Sequence, residues 1–241
     1  MTVEEIQRRL VERGYDLGTW GPQKDGVDGR MGPTTITALR AFQKANGLPE
    51  TGVVDGMTAV KLTAPLPQSI VPASWMPNGR LERVICHWSG GAHNASGLDR
   101  THYHLIVEGD GNLVRGMWPI SANGIGMAGK RANHTLNCNT GSIGVSLACM
   151  AGAVERPFDP GKFPMTAVQW QTLPRVVADL CRRYAIPVTE RTVLSHAEVQ
   201  PTLGIRQRQK WDYSWRHGMA APGNPIQVGD ELRHAVFRRM R

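Results

Sequence analysis

Apolar residues in the first part of the chain recur at helical spacing. Over residues 3–14, Val3, Ile6, Leu10 and Val11 share one face, which predicts a helix. A turn-rich stretch from Gly18 to Pro33 follows, with Asp25-Gly26 and Asp28-Gly29 as turn signals. Pro33 suits the first turn of a second helix, whose face is Ile36, Ala38, Leu39 and Phe42 and which ends at Gly47. Asp55 is placed to cap a short third helix carrying Val60 and Leu62. Three short helices in about 60 residues predict a small independent module, near the lower limit for a core without staples.

Residues 64–79 are proline-rich, lack periodicity and read as a semi-stiff linker. From Leu81 the pattern changes to strand candidates at 82–88, 103–108, 113–118, 142–149 and 192–196. Asp110-Gly111-Asn112 reads as a hairpin turn between the second and third. Residues 166–184 predict a long helix with the stripe Val168, Leu173, Val176, Val177, Leu180, Cys181 and Tyr184, and with Pro174 as a kink point. The expected fold is α/β (α+β): a mixed central β-sheet flanked by helices, preceded by a small three-helix domain. In the tail from His217, Val228, Leu232, Val236 and Met240 recur every fourth residue. Asp230 and Glu231 lie early there, and Arg238, Arg239 and Arg241 late, as a helix dipole favours. This helix either docks on the preceding domain or forms a cationic amphipathic arm for an anionic membrane surface. The expected division is 1–63, 64–80, 81–216 and 217–241.

Composition narrows the class. The chain has 241 residues, 41% hydrophobic and 20% charged, which is ordinary for a soluble globular protein. No apolar run reaches transmembrane length, about 18 residues. The start, Met1-Thr2-Val3-Glu4-Glu5, is acidic and amphipathic and lacks the features of a signal peptide, so synthesis in a cytoplasm is expected. None of the four cysteines, Cys86, Cys138, Cys149 and Cys181, forms a Cys-x-x-Cys pair; each sits in an apolar run and is expected reduced in the core. A formal net charge of +8 favours polyanions: nucleic acid, anionic lipid or an acidic cell wall. No compact Lys/Arg block with interleaved aromatics occurs, so nucleic acid is not an expected partner.

Two histidines end strand-like runs: His87 after Arg83-Val84-Ile85-Cys86, and His196 after Thr192-Val193-Leu194-Ser195. The second is followed by Lys210-Trp211-Asp212. Two imidazoles and one carboxylate are the ligand set of an open catalytic zinc site. A neighbouring lysine adds the fixed positive charge that a developing oxyanion needs. His102-Tyr103-His104, on a predicted strand, competes for the metal. Alternation puts the two histidines on one face and Tyr103 on the other, so one or the other faces a given site.

Longer motifs carry two resemblances. Asp28-Gly29-Arg30-Met31-Gly32-Pro33-Thr34-Thr35, Ala38-Leu39-Arg40-Ala41-Phe42-Gln43, Gly47-Leu48 and Thr51-Gly52-Val53-Val54-Asp55 look like the three-helix peptidoglycan-binding domain, over roughly residues 3–63. This implies binding to wall glycan or stem peptide, with Asp28, Gly29, Thr34, Phe42 and Gln43 as candidate wall-binding residues. Ile85-Cys86-His87-Trp88-Ser89, Tyr103-His104-Leu105-Ile106-Val107, Gly141-Ser142-Ile143-Gly144-Val145-Ser146-Leu147, and His196-Ala197-Glu198-Val199 with Lys210-Trp211-Asp212 resemble the zinc-dependent N-acetylmuramoyl-L-alanine amidases. That type 2 family includes phage lysozymes and the peptidoglycan recognition proteins, and the similarity spans roughly residues 81–215.

The second resemblance implies one zinc per chain held by His87, His196 and Asp212, with Tyr103 facing the metal and Lys210 beside it as catalytic residues. Water activated near a pKa of about 7 attacks the lactyl carbonyl joining muramic acid to L-alanine. Trp88, His134 and Asn137 are candidate substrate contacts. Many members carry a glutamate where this chain has Ser146. The gap from His196 to Asp212 is also longer than in the shortest members, adding a polar loop from Gln200 to Gln209.

Two other functions compete. A zinc D,D- or L,D-peptidase would use His93, Asp99 and His102-Tyr103-His104, which lie close together in sequence. A non-catalytic peptidoglycan binder would lack the last ligand, and Asp212 argues against it. The expected biology is that of a monomeric phage endolysin, made in the host cytoplasm and acting on the bacterial wall.

Overall fold

Thr2 opens the first helix: its hydroxyl accepts the Glu5 backbone N–H while Glu5 reaches back to the Thr2 N–H. The computed structural model describes residues 1–66 and 68–240; Pro67 of the predicted linker and Arg241 of the late basic cluster lie outside them. Helix α1 (Val3–Glu12), α2 (Pro33–Ala45) and α3 (Gly56–Thr63) form the small N-terminal unit. Pro33 occupies the first turn of α2, and Asp55 caps α3 through the Thr58 N–H at 2.7 Å. Ile6, Leu10, Val11, Ala38, Leu39, Phe42 and Leu62 are buried together. Val60, expected on the inner face of α3, is 62% exposed.

Two glutamines fix the turns of this unit in the same way. Gln7 accepts the Asp28 and Gly29 N–H groups at 3.1 and 2.8 Å and donates to Asp28 Oδ1, Arg30 O and Thr35 Oγ1. Gln43 accepts the Gly52 N–H at 2.8 Å and donates to Thr51 Oγ1, Val53 O and Thr58 Oγ1. Gly29 and Gly52 both take positive φ, +73° and +72°, where a side chain is strained. Four of the five candidate wall-binding residues have structural parts in this unit. Asp28 and Gly29 form a clamped turn, Gln43 clamps another, and Phe42 lies in the core; Thr34 remains exposed.

The second unit is built on β1 (Arg83–Trp88), α4 (Gly97–His102), β2 (Leu105–Val107), β3 (Leu113–Arg115), β4 (Ser142–Leu147), α5 (Ala167–Tyr184), β5 (Val193–Ser195) and α6 (Val199–Leu203). The sheet order is β3-β2-β4-β1-β5, antiparallel between β2 and β3 and parallel elsewhere. The continuous apolar runs of β1 and β4 suit strands buried on both faces. Helix α5 begins at a Thr166–Gln169 capping box, and Gln169 Nε2 ties it to the sheet through Val107 O and Ala148 O. Pro174 lies inside this helix without ending it, and Val168, expected on its stripe, is 45% exposed. All four cysteines are buried free thiols.

The strand predicted over 103–108 is corrected. The Ser96–Asp99 capping box starts α4, so His102 ends a helix, Tyr103 is its extended C-cap, and β2 begins at Leu105. The tail contains α7 (Pro225–Arg239), which docks on the second unit. Val228, Leu232, Val236 and Met240 are buried in the main core with residues of α5. Phe237 stacks edge-on against Tyr15 of the first unit, centroids 4.8 Å apart. The apolar stripe that a membrane arm would use is thus covered by protein.

Candidate metal centre

Parallel pairing of β1 with β5 sets Cys86 opposite Ser195, so the next residues, His87 and His196, emerge side by side at the carboxyl ends of the two strands. That end of an open parallel sheet is where such folds place ligands. On its other side β1 pairs with β4, which puts Ser146 opposite His87. Asp212 arrives from the chain after α6. Two non-glycine residues with positive φ flank it, Gln209 at 44° and Tyr213 at 65°. Tyr213 is held there by its hydroxyl, which donates to His87 O at 3.1 Å, and by stacking on Trp88.

Three ligand atoms converge. His87 Nδ1 and His196 Nδ1 are 3.0 Å apart, and each is 3.8 Å from Asp212 Oδ2. Burial drives the His87 pKa well below its ordinary value, with His196 and His134 adding to the effect, and lowers that of His196 to about 4. Both imidazoles are therefore neutral at pH 7, and their contacts with Asp212 are not ion pairs. Burial raises Asp212 to about 6, against the opposing charge of Lys210 and the hydrogen bonds from its own and the Trp88 backbone. Neutral imidazoles are the ligating form, and zinc–ligand bonds of about 2.0–2.2 Å require ligand atoms at such mutual distances. The donor set fits zinc. Among the described residues, this is the one group of three His, Cys, Asp or Glu side chains whose ligand atoms lie within 4.8 Å of one another.

The family described as N-acetylmuramoyl-L-alanine amidase matches residues 77–219, which include all three of these residues. The chain belongs to the N-acetylmuramoyl-L-alanine amidase family. It is a peptidoglycan amidase, and residues 2–62 match the putative peptidoglycan binding domain. The endolysin N-acetylmuramoyl-L-alanine amidase LysCS from Clostridium intestinale URNW aligns over 69% of this chain and 96% of its own, with 17% identity and a TM-score of 0.39. No curated protein matches the chain.

In the amidase, the half-buried Tyr103 ring lies 5.2 Å from that of His87. Burial raises its phenol pKa, Asp212 adds to this, and a hydrogen bond with Ser146 opposes it. Tyr103 therefore stays protonated at neutral pH. Lys210 is exposed, and its charge acts on His87, His196 and Asp212. The residues of the peptidase alternative are dispersed. His93 Nε2 donates to Pro164 O, Asp99 caps α4, and His104 Nδ1 accepts the Gly144 N–H.

Two of the expected substrate contacts are buried. His134 is buried beside the site, where its Nδ1 lies 3.2 Å from His87 Nε2 and 2.8 Å from Thr135 Oγ1, so it backs a ligand. Trp88 is 7% exposed and packs on Trp211 and Tyr213. Asn137 is exposed on a loop, with φ of 55°. Sequence reasoning missed Gln207, whose Oε1 lies 3.0 Å from His196 Nε2. Its place in the polar loop before Asp212 was the available signal.

Proposed function

We propose that the amidase holds one zinc ion through His87, His196 and Asp212 and hydrolyses the bond between N-acetylmuramic acid and L-alanine of the stem peptide. The convergence of these side chains at the carboxyl ends of β1 and β5, inside the family match, is the observation that carries this reading. Zinc, when bound, supplies the Lewis acidity that activates water near neutral pH. The protein's own groups do the rest. The neutral imidazoles keep their lone pairs for ligation. Lys210 offers fixed positive charge to the carbonyl oxygen as it gains negative charge. Protonated Tyr103 orients the attacking water and passes a proton to the leaving amine. Ser146 provides no carboxylate base, so Tyr103 carries more of the proton transfer.

In the same reading, residues 1–63 hold the enzyme on the wall and 64–80 connect them to the catalytic unit over 81–216, with the tail 217–241 docked on it. No helix among the described residues is long and apolar enough to cross a membrane. A monomeric phage endolysin, made in the host cytoplasm and reaching the wall after a membrane lesion, is the biology that suits a wall-binding module joined to an amidase. The exposed Arg238 and Arg239 are the part of α7 left for an anionic membrane surface.

Digestion of purified peptidoglycan followed by mass spectrometry of the new ends tests the reaction. Free stem peptides beginning with L-alanine are expected, and a chelator should stop their release until zinc is restored. New reducing sugars or shortened stem peptides would replace this reading with a glycosidase or a peptidase.

A further inference from the structure

Two residues after His196, on a 3-10 turn spanning His196–Glu198, lies the fully buried Glu198. Its Oε2 accepts the Ser195 N–H at 2.7 Å, so the carboxylate grips the end of the strand that delivers His196. Its Oε1 forms an ion pair with Arg233 Nη1 of α7 at 2.9 Å. Arg233 is itself buried and also donates to Val193 O at 2.8 Å, Ile226 O at 3.3 Å and Asp230 Oδ1 at 2.8 Å. The strand leading to His196 is therefore fastened at both ends, Val193 by Arg233 and Ser195 by Glu198. One turn earlier on α7, Gly229 faces the same carboxylate, and a Cβ there would run into Glu198. The family match ends at residue 219, before α7 begins at Pro225.

We propose that Arg233 and Gly229 position the metal ligand His196 through Glu198, which makes α7 a working part of the metal site. The proposal rests on the zinc reading above. Removing Arg233 leaves a buried carboxylate without its counter-charge, a state strongly disfavoured at low dielectric. The carboxylate must then move to find another partner, and its grip on the turn carrying His196 loosens. Gly229 allows a second route to the same displacement. Alanine is the better helix former, so Gly229→Ala crowds Glu198 without weakening α7 itself.

The test measures zinc affinity by competition with a chromophoric chelator, the visible spectrum of the cobalt(II)-substituted protein, and thermal unfolding of the metal-free protein. Gly229→Ala and Arg233→Met are expected to fold yet bind zinc about 10–100-fold more weakly, the range for groups behind metal ligands. Their cobalt bands should shift, and Arg233→Lys should recover part of the affinity. Unchanged zinc affinity and an unchanged cobalt spectrum in folded Gly229→Ala would overturn the proposal, even if Arg233→Met fails to fold. The zinc reading has its own control: the wild type should bind one zinc and His196→Ala none. If the wild type binds no zinc, that reading falls and takes this proposal with it.

Discussion

Gln207 Oε1 lies 3.0 Å from His196 Nε2, while the Gln207 amide nitrogen donates to Leu136 O at 2.9 Å. The second contact fixes which way the amide points. Its oxygen then faces His196, which must carry its proton on Nε2 and present Nδ1, toward Asp212, as the ligating atom. Orientation of a ligand imidazole by such a partner is typically worth about 10–100-fold in metal affinity or activity. Gln207→Ala should lose that much zinc affinity with little change in secondary structure, as a chelator titration with circular dichroism would show.

Tyr103 is the proton donor proposed to serve the reaction, with its ring 5.2 Å from that of His87. Burial keeps its phenol protonated, so its contribution is an O–H at the site. Tyr103→Phe removes that group and leaves the ring. Because general acid–base assistance contributes roughly 10²–10⁴-fold, kcat should fall by about a hundred-fold or more. Zinc content should stay near one ion per chain, measured by elemental analysis. Loss of zinc in this variant would mean that Tyr103 supports the site structurally.

Acid should destabilise the metal-free protein. His87 and His134 are held well below the ordinary histidine value, and His104 and His196 near 4, all chiefly by burial. A depressed histidine stays neutral in the folded state while the unfolded chain takes up a proton below about pH 6.5, so its penalty grows as pH falls from there towards the folded value. Asp212, raised to about 6, works the other way and adds stability as pH drops below that point. Glu198, also raised by burial, acts in the same sense, and the four histidines outweigh the two carboxylates. The melting temperature of chelator-treated protein should therefore be lower at about pH 5 than at about pH 7.5, and His104→Asn should reduce the difference.

Gln43 makes three hydrogen bonds to the turn before α3 and a fourth to Thr58 within that helix, and its side chain is fully buried. Gln43→Ala strands those partners, and each buried polar group left unsatisfied costs about 1–3 kcal/mol. In so small a unit this should lower its unfolding temperature and weaken sedimentation with intact peptidoglycan. Hydrolysis of a soluble muropeptide should be unchanged, because the metal centre lies in the other unit.

Local chemistry written in the sequence determined much of this protein. Thr2, Asp55 and Thr166 cap helices where their side chains satisfy free N–H groups, and the apolar runs of β1 and β4 fold as buried strands. His87 and His196 were legible as strand-end residues, and the motifs around them pointed to the family. The site needed contacts that no local rule contains. Parallel register made the two histidines neighbours, and packing of Tyr213 under His87 holds a backbone turn that sequence preferences disfavour, which brings in Asp212. Tyr103 sits at a helix end where alternation predicted a strand, because the Ser96 cap outweighed that pattern. The contacts of His134 and Gln207 with the ligand imidazoles, and the Arg233–Glu198 pair, became visible only in three dimensions. Propensities and caps act over a few residues, whereas a metal site is set by side-chain distances between segments remote in the chain, which packing alone decides.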